Sequence, residues 1–244
     1  MTRWHFWPMI LLAPLTLAAG EKPGFEQDTI PTAKGDLRIT LIGHGTLLFE
    51  FGGLSIHVDP VGRYADYSTL PKADLILVTH EHGDHLDREA IEKIRTRETT
   101  LILPPACARQ VPWGTVMNNG EVKEVHGLRI EAVPAYNIVH QRRPGQPYHP
   151  KGVGNGYVVT FGDVRVYVAG DTENIPEMGR LAGVDCAFLP MNLPYTMTPE
   201  MVAEAARVLK PKILYPYHFG DTDTARLREL LKDSKIDVRI RRMK

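Results

Sequence analysis

The sequence predicts an α/β fold built on mixed sheets, and three observations carry that reading. Strands come first and a strand–helix alternation follows; the order occurs twice, over residues 37–97 and again over residues 156–232. One apolar run, Ala73–Thr79, is continuous rather than alternating, as expected of a strand covered on both faces. No internal linker is long enough to mark a domain boundary, and no short-period repeat occurs. Two similar β-rich halves packed as a four-layer sandwich would give this order. The 244 residues are an ordinary length for such a domain.

The elements follow from local signals. Residues 21–35 are rich in Pro, Gly and charge and read as a leader segment. Leu37–Ile42, Leu47–Phe51 and Leu54–Val58 form a meander, punctuated by Gly43, Gly45 and Gly52-Gly53. After Ala73–Thr79, residues Asp87–Arg97 show helical spacing through Ala90, Ile91 and Ile94. Thr100–Leu103 is a short strand, and Pro104-Pro105 opens a short helix. Val122–Val125 and Leu128–Val133 pair around His126-Gly127. Residues 136–155 lack periodicity and read as one long functional loop. Gly156–Phe161 and Val164–Ala169 form a second hairpin, turned by Gly162-Asp163. Asp185–Leu189, Lys212–Tyr215 and Asp237–Ile240 are strands. Thr198–Leu209 is a helix with Thr198 as N-cap and Pro199 at its first position, and Thr222–Lys232 is another.

Composition excludes some functions. Lys+Arg and Asp+Glu both number 29, so no basic excess draws the chain to nucleic acid or anionic lipid. Two cysteines, Cys107 and Cys186, are too few for a disulfide framework or a four-cysteine zinc site. They could pair in an oxidising compartment or remain two separate buried residues. Residues 1–20 carry Arg3, an apolar run from Pro8 to Leu17, and small residues Ala18-Ala19-Gly20. That is the pattern of a secretory signal peptide, too short for a transmembrane span. The expectation is an exported protein, periplasmic or secreted, with no stable membrane anchor after processing.

Ten histidines outnumber the cysteines, and their placement is informative. His80-Glu81-His82-Gly83-Asp84-His85 puts four ligand-type side chains into six residues just after a buried strand. His80 and His82 share a face on extended backbone. Gly83 would permit a sharp turn that returns Asp84 and His85 to them. Imidazoles and a carboxylate so arranged suit zinc or another borderline divalent metal.

This His-X-His-X-Asp-His run resembles the metallo-β-lactamase superfamily of dinuclear metallohydrolases. Asp59 in Ile56-His57-Val58-Asp59-Pro60 looks like the family's early aspartate. Asp171 in Gly170-Asp171-Thr172 looks like its bridging aspartate, and His218 in Tyr217-His218-Phe219-Gly220 like its last histidine. Ile42-Gly43-His44-Gly45-Thr46 and Phe188-Leu189-Pro190-Met191 resemble the ascorbate-phosphate-lactonase-like and N-acyl-phosphatidylethanolamine-phospholipase-like branch. The resemblance implies an α+β fold, a four-layer αβ/βα sandwich with the metals at one edge. It implies two divalent ions, zinc first, with manganese or iron as alternatives.

By that resemblance His80 and His82 hold one metal, Asp84, His85 and His218 the other, and Asp171 bridges both. The family pattern has a further histidine where this chain has Asn137. His140 and His149 are the two candidates for it. His149 is favoured, because His149-Pro150-Lys151-Gly152 resembles a subgroup motif and Pro150 restricts the preceding backbone. Asp59 is expected to orient the histidines through hydrogen bonds. His44 lines the cleft or merely turns the chain; His57 packs; His126 turns a hairpin. Glu81, Glu173, Tyr195, Tyr217, Lys151 and Asn155 are weaker site candidates.

The implied chemistry is attack of a metal-generated hydroxide on an ester, lactone or phosphodiester, with Asp84 and Asp171 as the catalytic carboxylates. The substrate expected is a small molecule or lipid-like compound. No Gly-Xaa-Ser-Xaa-Gly elbow offers a serine alternative. A β-lactamase and a non-catalytic exported metal binder remain as alternatives. Against the first, true β-lactamases generally lack the aspartate that Asp171 resembles.

Overall fold

A computed structural model describes residues 24–243. The signal peptide expected over residues 1–20 lies outside the described residues. Among those described, no helix is long and apolar enough to cross a membrane.

Two seven-stranded mixed sheets face each other. The first holds β1 (Glu26–Thr32), β2 (Gly35–Gly43), β3 (Thr46–Phe51), β4 (Leu54–Val58), β5 (Leu75–Leu77), β6 (Thr100–Leu103) and β7 (Thr115–Val116), in that spatial order. The second begins with β8 (Val122–Val125) and β9 (Leu128–Ala135). A small separate hairpin follows, β10 (Gln141–Arg143) with β11 (Gln146–Pro147). The second sheet resumes with β12 (Gly154–Phe161), β13 (Val164–Val168), β14 (Cys186–Pro190), β15 (Ile213–Tyr217) and β16 (Asp237–Val238). Each sheet starts with four antiparallel strands and continues with parallel ones. The duplicated order in the sequence is thus a duplicated topology.

Side-chain alternation sets the layers. On β5, Leu75 and Leu77 enter the central core between the sheets. Ile76 and Val78 face the other way, into a smaller core with Ala90, Ile91 and Ile94 of helix α1 (Arg88–Ile94). Asp87 caps that helix by accepting from the amides of Glu89 and Ala90. Between the sheets, Phe49 and Phe51 of β3 meet Phe161 of β12 at 5.5 and 5.4 Å. Helices α2 (Pro199–Leu209) and α3 (Thr224–Leu231) form the remaining layer. Thr198 caps α2, whose buried stripe is Val202, Ala203, Ala205, Ala206 and Leu209. The result is the four-layer αβ/βα sandwich.

The leader reading of residues 21–35 is corrected: residues 26–32 form edge strand β1, in full antiparallel register with β2. Its polar residues hid it, because only Ile30 is buried. One of those polar residues fastens the two sheets together. Asp28 accepts from Tyr215 Oη of β15 at 2.6 Å, from Arg241 at 2.9 and 3.0 Å, and from Arg239 at 3.3 Å. The long loop of residues 136–155 also contains structure the sequence did not announce, the β10–β11 hairpin and the start of β12. Cys107 and Cys186 are both buried and free.

Burial pushes the Asp28 carboxyl up, but the bonds from Tyr215 and Arg241 outweigh it and hold it below the usual range. Its contribution to stability is therefore present above the ordinary aspartate value and is lost as pH falls through the lowered one. Asp28→Ala should destabilise the fold by about 1–3 kcal/mol at neutral pH, measured by urea unfolding. The deficit relative to wild type should shrink in acid.

Candidate metal centre

The candidate side chains gather at one edge of the sandwich. Asp59 follows β4, the His80–His85 run follows β5, Asp171 follows β13, and His218 follows β15. His44 turns between β2 and β3, while Asn137 and His149 lie on the connection from β9 to β12.

Within the run, the amides of His85 and Leu86 both donate to the His82 carbonyl, at 3.0 and 2.8 Å. That helix-like turn folds Asp84 and His85 back towards His80. Gly83 does not supply it through special freedom. Its φ is not in the left-handed region and an added Cβ would touch nothing. The indispensable glycines are elsewhere. A Cβ on Gly45 would lie 2.6 Å from the His85 ring. Gly170, at φ +65°, would drive one to 2.9 Å from the Asn155 carbonyl.

Asp171 is the hub. Nε2 of His149, His218 and His80 lie 3.3, 3.4 and 3.8 Å from its Oδ2, and Nε2 of His85 lies 3.5 Å from its Oδ1. Donor atoms fall into one group of His80, His82 and His149 and another of His44, Asp84, His85 and His218. Within each, the atoms lie within 4.8 Å of one another. His80, His85 and Asp171 form a third, overlapping group. His140 and His149 stand in different surroundings. The His149 ring stands 5.1 and 5.0 Å from those of His80 and His82, whereas His140 is bound to Glu173 at 2.7 Å.

Hydrogen bonds behind the rings fix their tautomers. His85 Nδ1 donates to Asp59 Oδ2 at 2.8 Å. His149 Nδ1 donates to Asn137 Oδ1 at 2.7 Å. Thr79 Oγ1 gives its one proton to Asp59, so it accepts from His80 Nδ1 at 3.0 Å. Each ring is left with Nε2 towards Asp171. Nε2 of His85 and His149, both ring nitrogens of His218, and Asp171 Oδ1 are buried without a hydrogen bond. Orphaned buried polar atoms are costly in a folded protein, and a cation among them removes the cost. The donor set, imidazoles and carboxylates, suits zinc and its first-row neighbours.

Electrostatics agree. Burial opposes ionisation of Asp171, but the surrounding histidines, His218 and His85 foremost, hold its carboxyl well below the ordinary range. His85 is opposed by burial too, yet Asp171 and Asp59 raise it to about 9. His80 is pushed well down, by burial first and by His85 next. Asp84 is lowered by His218 and His44 in spite of its burial. Its side chain remains 39% exposed, so it is open to solvent.

Several residues support the centre more closely than their sequence context suggests. His44 Nε2 lies 3.2 Å from Asp84 Oδ2, and its ring sits between those of Tyr64 and His218, at 5.2 and 3.6 Å. Glu173 is fully buried and accepts from the amides of Ile138, Val139 and His140 and from Asn137 Nδ2. It shapes the loop that carries Asn137. Lys151 and Asn155 are not members of the donor groups. Lys151 pairs with Glu177 at 2.7 Å, and buried Asn155 bonds Met117 O and Asn119. His57 is packing, lowered to about 4 by burial, and His126 caps a hairpin turn at φ 50°. Tyr217 is buried, Tyr195 lies exposed on a neighbouring loop, and Glu81 has no part in the ligand groups.

A four-layer sandwich with paired donor sets at one edge defines a metallohydrolase class, and comparison with known proteins agrees. Residues 38–218 match the Beta-lactamase superfamily domain, and the chain belongs to that superfamily. It is 32% identical to a UPF0173 metal-dependent hydrolase of Methanopyrus kandleri, covering 84% of this chain and 95% of the relative. A Thermus thermophilus homologue of the same description is 33% identical, over 75% of this chain and 84% of its own. A crystal structure from Parabacteroides distasonis, assigned as a metal-dependent hydrolase, superposes with TM-score 0.87 at 51% identity, covering 90% of this chain and all of that one. The metallo hydrolase Igni18 of Ignicoccus hospitalis gives TM-score 0.68 at 25% identity, over 84% and 94%. The protein is a metal-dependent hydrolase.

Two outcomes test the centre. Asn137→Ala should lower metal affinity by about 10- to 100-fold, read by competition with a chelating dye. Metal uptake at pH 7.5 must displace the proton that His85 retains up to about pH 9. Calorimetry in buffers of different ionisation enthalpy should therefore register on the order of one proton released from this site, and less as pH approaches 9.

Proposed function

We propose that this hydrolase holds two divalent ions, zinc first with manganese or iron as alternatives, and cleaves an ester, lactone or phosphodiester. The observation that supports it is the position of Asp171 between two donor sets, with buried unpaired nitrogens aimed at it. His80, His82 and His149 would hold one ion, Asp84, His85 and His218 the other, and Asp171 would bridge them.

Such a pair of ions supplies an activated water at neutral pH and polarises the substrate oxygen. The chain's residues do the rest. Asp171 sets the separation of the two donor sets. Asp84, half exposed and already low in pKa, accepts a hydrogen bond from the attacking water and orients it. His44 fixes the rotamer of Asp84 from behind. Asp59, Thr79 and Asn137 hold the imidazoles so that they need not reorganise during reaction.

Esters, lactones and phosphodiesters are preferred to β-lactams because of Asp171, and the lactonase-like and phospholipase-like resemblance points the same way. The substrate is taken to be a small or lipid-like molecule. Export to the periplasm or exterior is proposed on the pattern of residues 1–20. A metal binder without catalysis is disfavoured by the openness of Asp84.

Asp84→Ala and Asp171→Ala should each reduce metal below two per chain and abolish turnover in a panel of lactone, phosphodiester and β-lactam substrates. His149→Ala should lose metal, while His140→Ala should keep it. A fully active Asp84→Ala protein, or full metal content in His149→Ala, overturns the assignment.

A further inference from the structure

The β10–β11 hairpin supplies no member of the ligand set, yet it reaches the centre. Arg142 Nη2 lies 3.3 Å from His82 Nε2. Its guanidinium stands over the Tyr148 ring, 5.4 Å from the centroid, and Tyr148 meets Tyr195 edge-on at 5.1 Å. Among the described residues Arg142 has no carboxylate partner.

The proton arithmetic of this corner is informative. A neutral imidazole has one N–H and one acceptor nitrogen. Asp59 accepts from Thr79, Thr79 accepts from His80 Nδ1, and His80 Nε2 therefore accepts from His82 Nδ1 at 3.1 Å. That leaves His82 Nε2 to accept from Arg142. With His82 Nδ1 holding a metal, its single proton would sit on Nε2 and face the arginine. Two donors would then oppose each other, and a guanidinium keeps its charge in a protein. Arg142, exposed to solvent and held on an aromatic face, is left beside the donor groups with its donors free for an incoming acceptor.

We propose that this acceptor is an oxyanion of the substrate, and that Arg142 is a specificity-determining residue selecting anionic substrates. The charged phosphate or carboxylate would lie next to the bond that is cleaved. A planar fork of donors suits either anion. This rests on the hydrolase reading above and narrows its substrate class.

The test uses the metal-loaded full chain as wild type, Arg142→Ala and Arg142→Lys. Calorimetry with phenylphosphonate, benzoate and neutral benzamide reads binding without turnover, and the first two show which anion is preferred. Arg142→Ala should weaken the preferred anion by about 10- to 100-fold and benzamide far less, with metal content unchanged. Arg142→Lys should recover part of the loss. In kinetics, the KM for bis(4-nitrophenyl) phosphate should rise at least tenfold more than that for 4-nitrophenyl acetate. Equal effects on charged and neutral probes, no anion binding by wild type, or loss of metal in Arg142→Ala overturns the proposal. Arg142-dependent anion binding without turnover of any ester would leave it standing and sink the hydrolytic reading of the substrate panel instead.

Discussion

A carboxylate buried among imidazoles from both halves of the fold is the constraint on which the rest depends. Asp171 is 4% exposed. His80 and His85 approach it from the first sheet, His149 and His218 from the second. Taking an ionised carboxylate out of water is expensive unless it is surrounded by positive charge. Four rings at 3.3–3.8 Å supply that charge in part, as the raised His85 shows. The distances are too long or too misaligned to close into hydrogen bonds, so the geometry leaves room for cations.

Strain elsewhere is organised around this hub. His44, Asp59 and His218 all adopt left-handed backbone, with φ of 54°, 44° and 47°. Such conformations cost free energy for non-glycine residues, on the order of 1–3 kcal/mol each, and persist where surroundings over-determine them. Here they do. The Asp59 amide bonds Leu77 O, and its carboxylate takes three donors from Thr79 and His85. The His218 amide bonds the His44 carbonyl, tying one strained residue to another. The duplicated topology adds a further regularity. Asp59 and Asp171 each follow the last antiparallel strand of their sheet, β4 in one and β13 in the other. One has become the support for the histidines and the other the hub they surround.

Much of this was legible in the sequence, for physical reasons that differ by element. Continuous apolar runs, such as those of β5 and β14, announce strands buried on both faces. The dense His80–His85 run announces a ligand cluster because few other uses need four such side chains in six residues. Illegible elements are those whose stabilisation is remote. Strand β1 is polar because it lies at an edge, and it is held by residues more than 180 positions away, Tyr215 and Arg241. Glu173 reads as one more acid after Asp171, yet it gathers the backbone of a loop 33–36 residues earlier. No local pattern encodes such partners.

The Asn137 position shows what the site actually fixes. The family pattern that the sequence resembles has a histidine there, and its absence left the ligand set incomplete. In the structure the amide of Asn137 donates to the His149 carbonyl, and the His149 amide and Nδ1 both donate to Asn137 Oδ1. The two residues are clamped face to face, which holds the His149 ring 5.1 and 5.0 Å from those of His80 and His82. Asn137 then does what a neutral acceptor behind an imidazole must do, which is hold Nδ1–H and turn Nε2 inward. The constraint acts on the direction of a lone pair, not on the chain position that supplies it. Glu173 fixes that support by gripping the loop on which Asn137 stands.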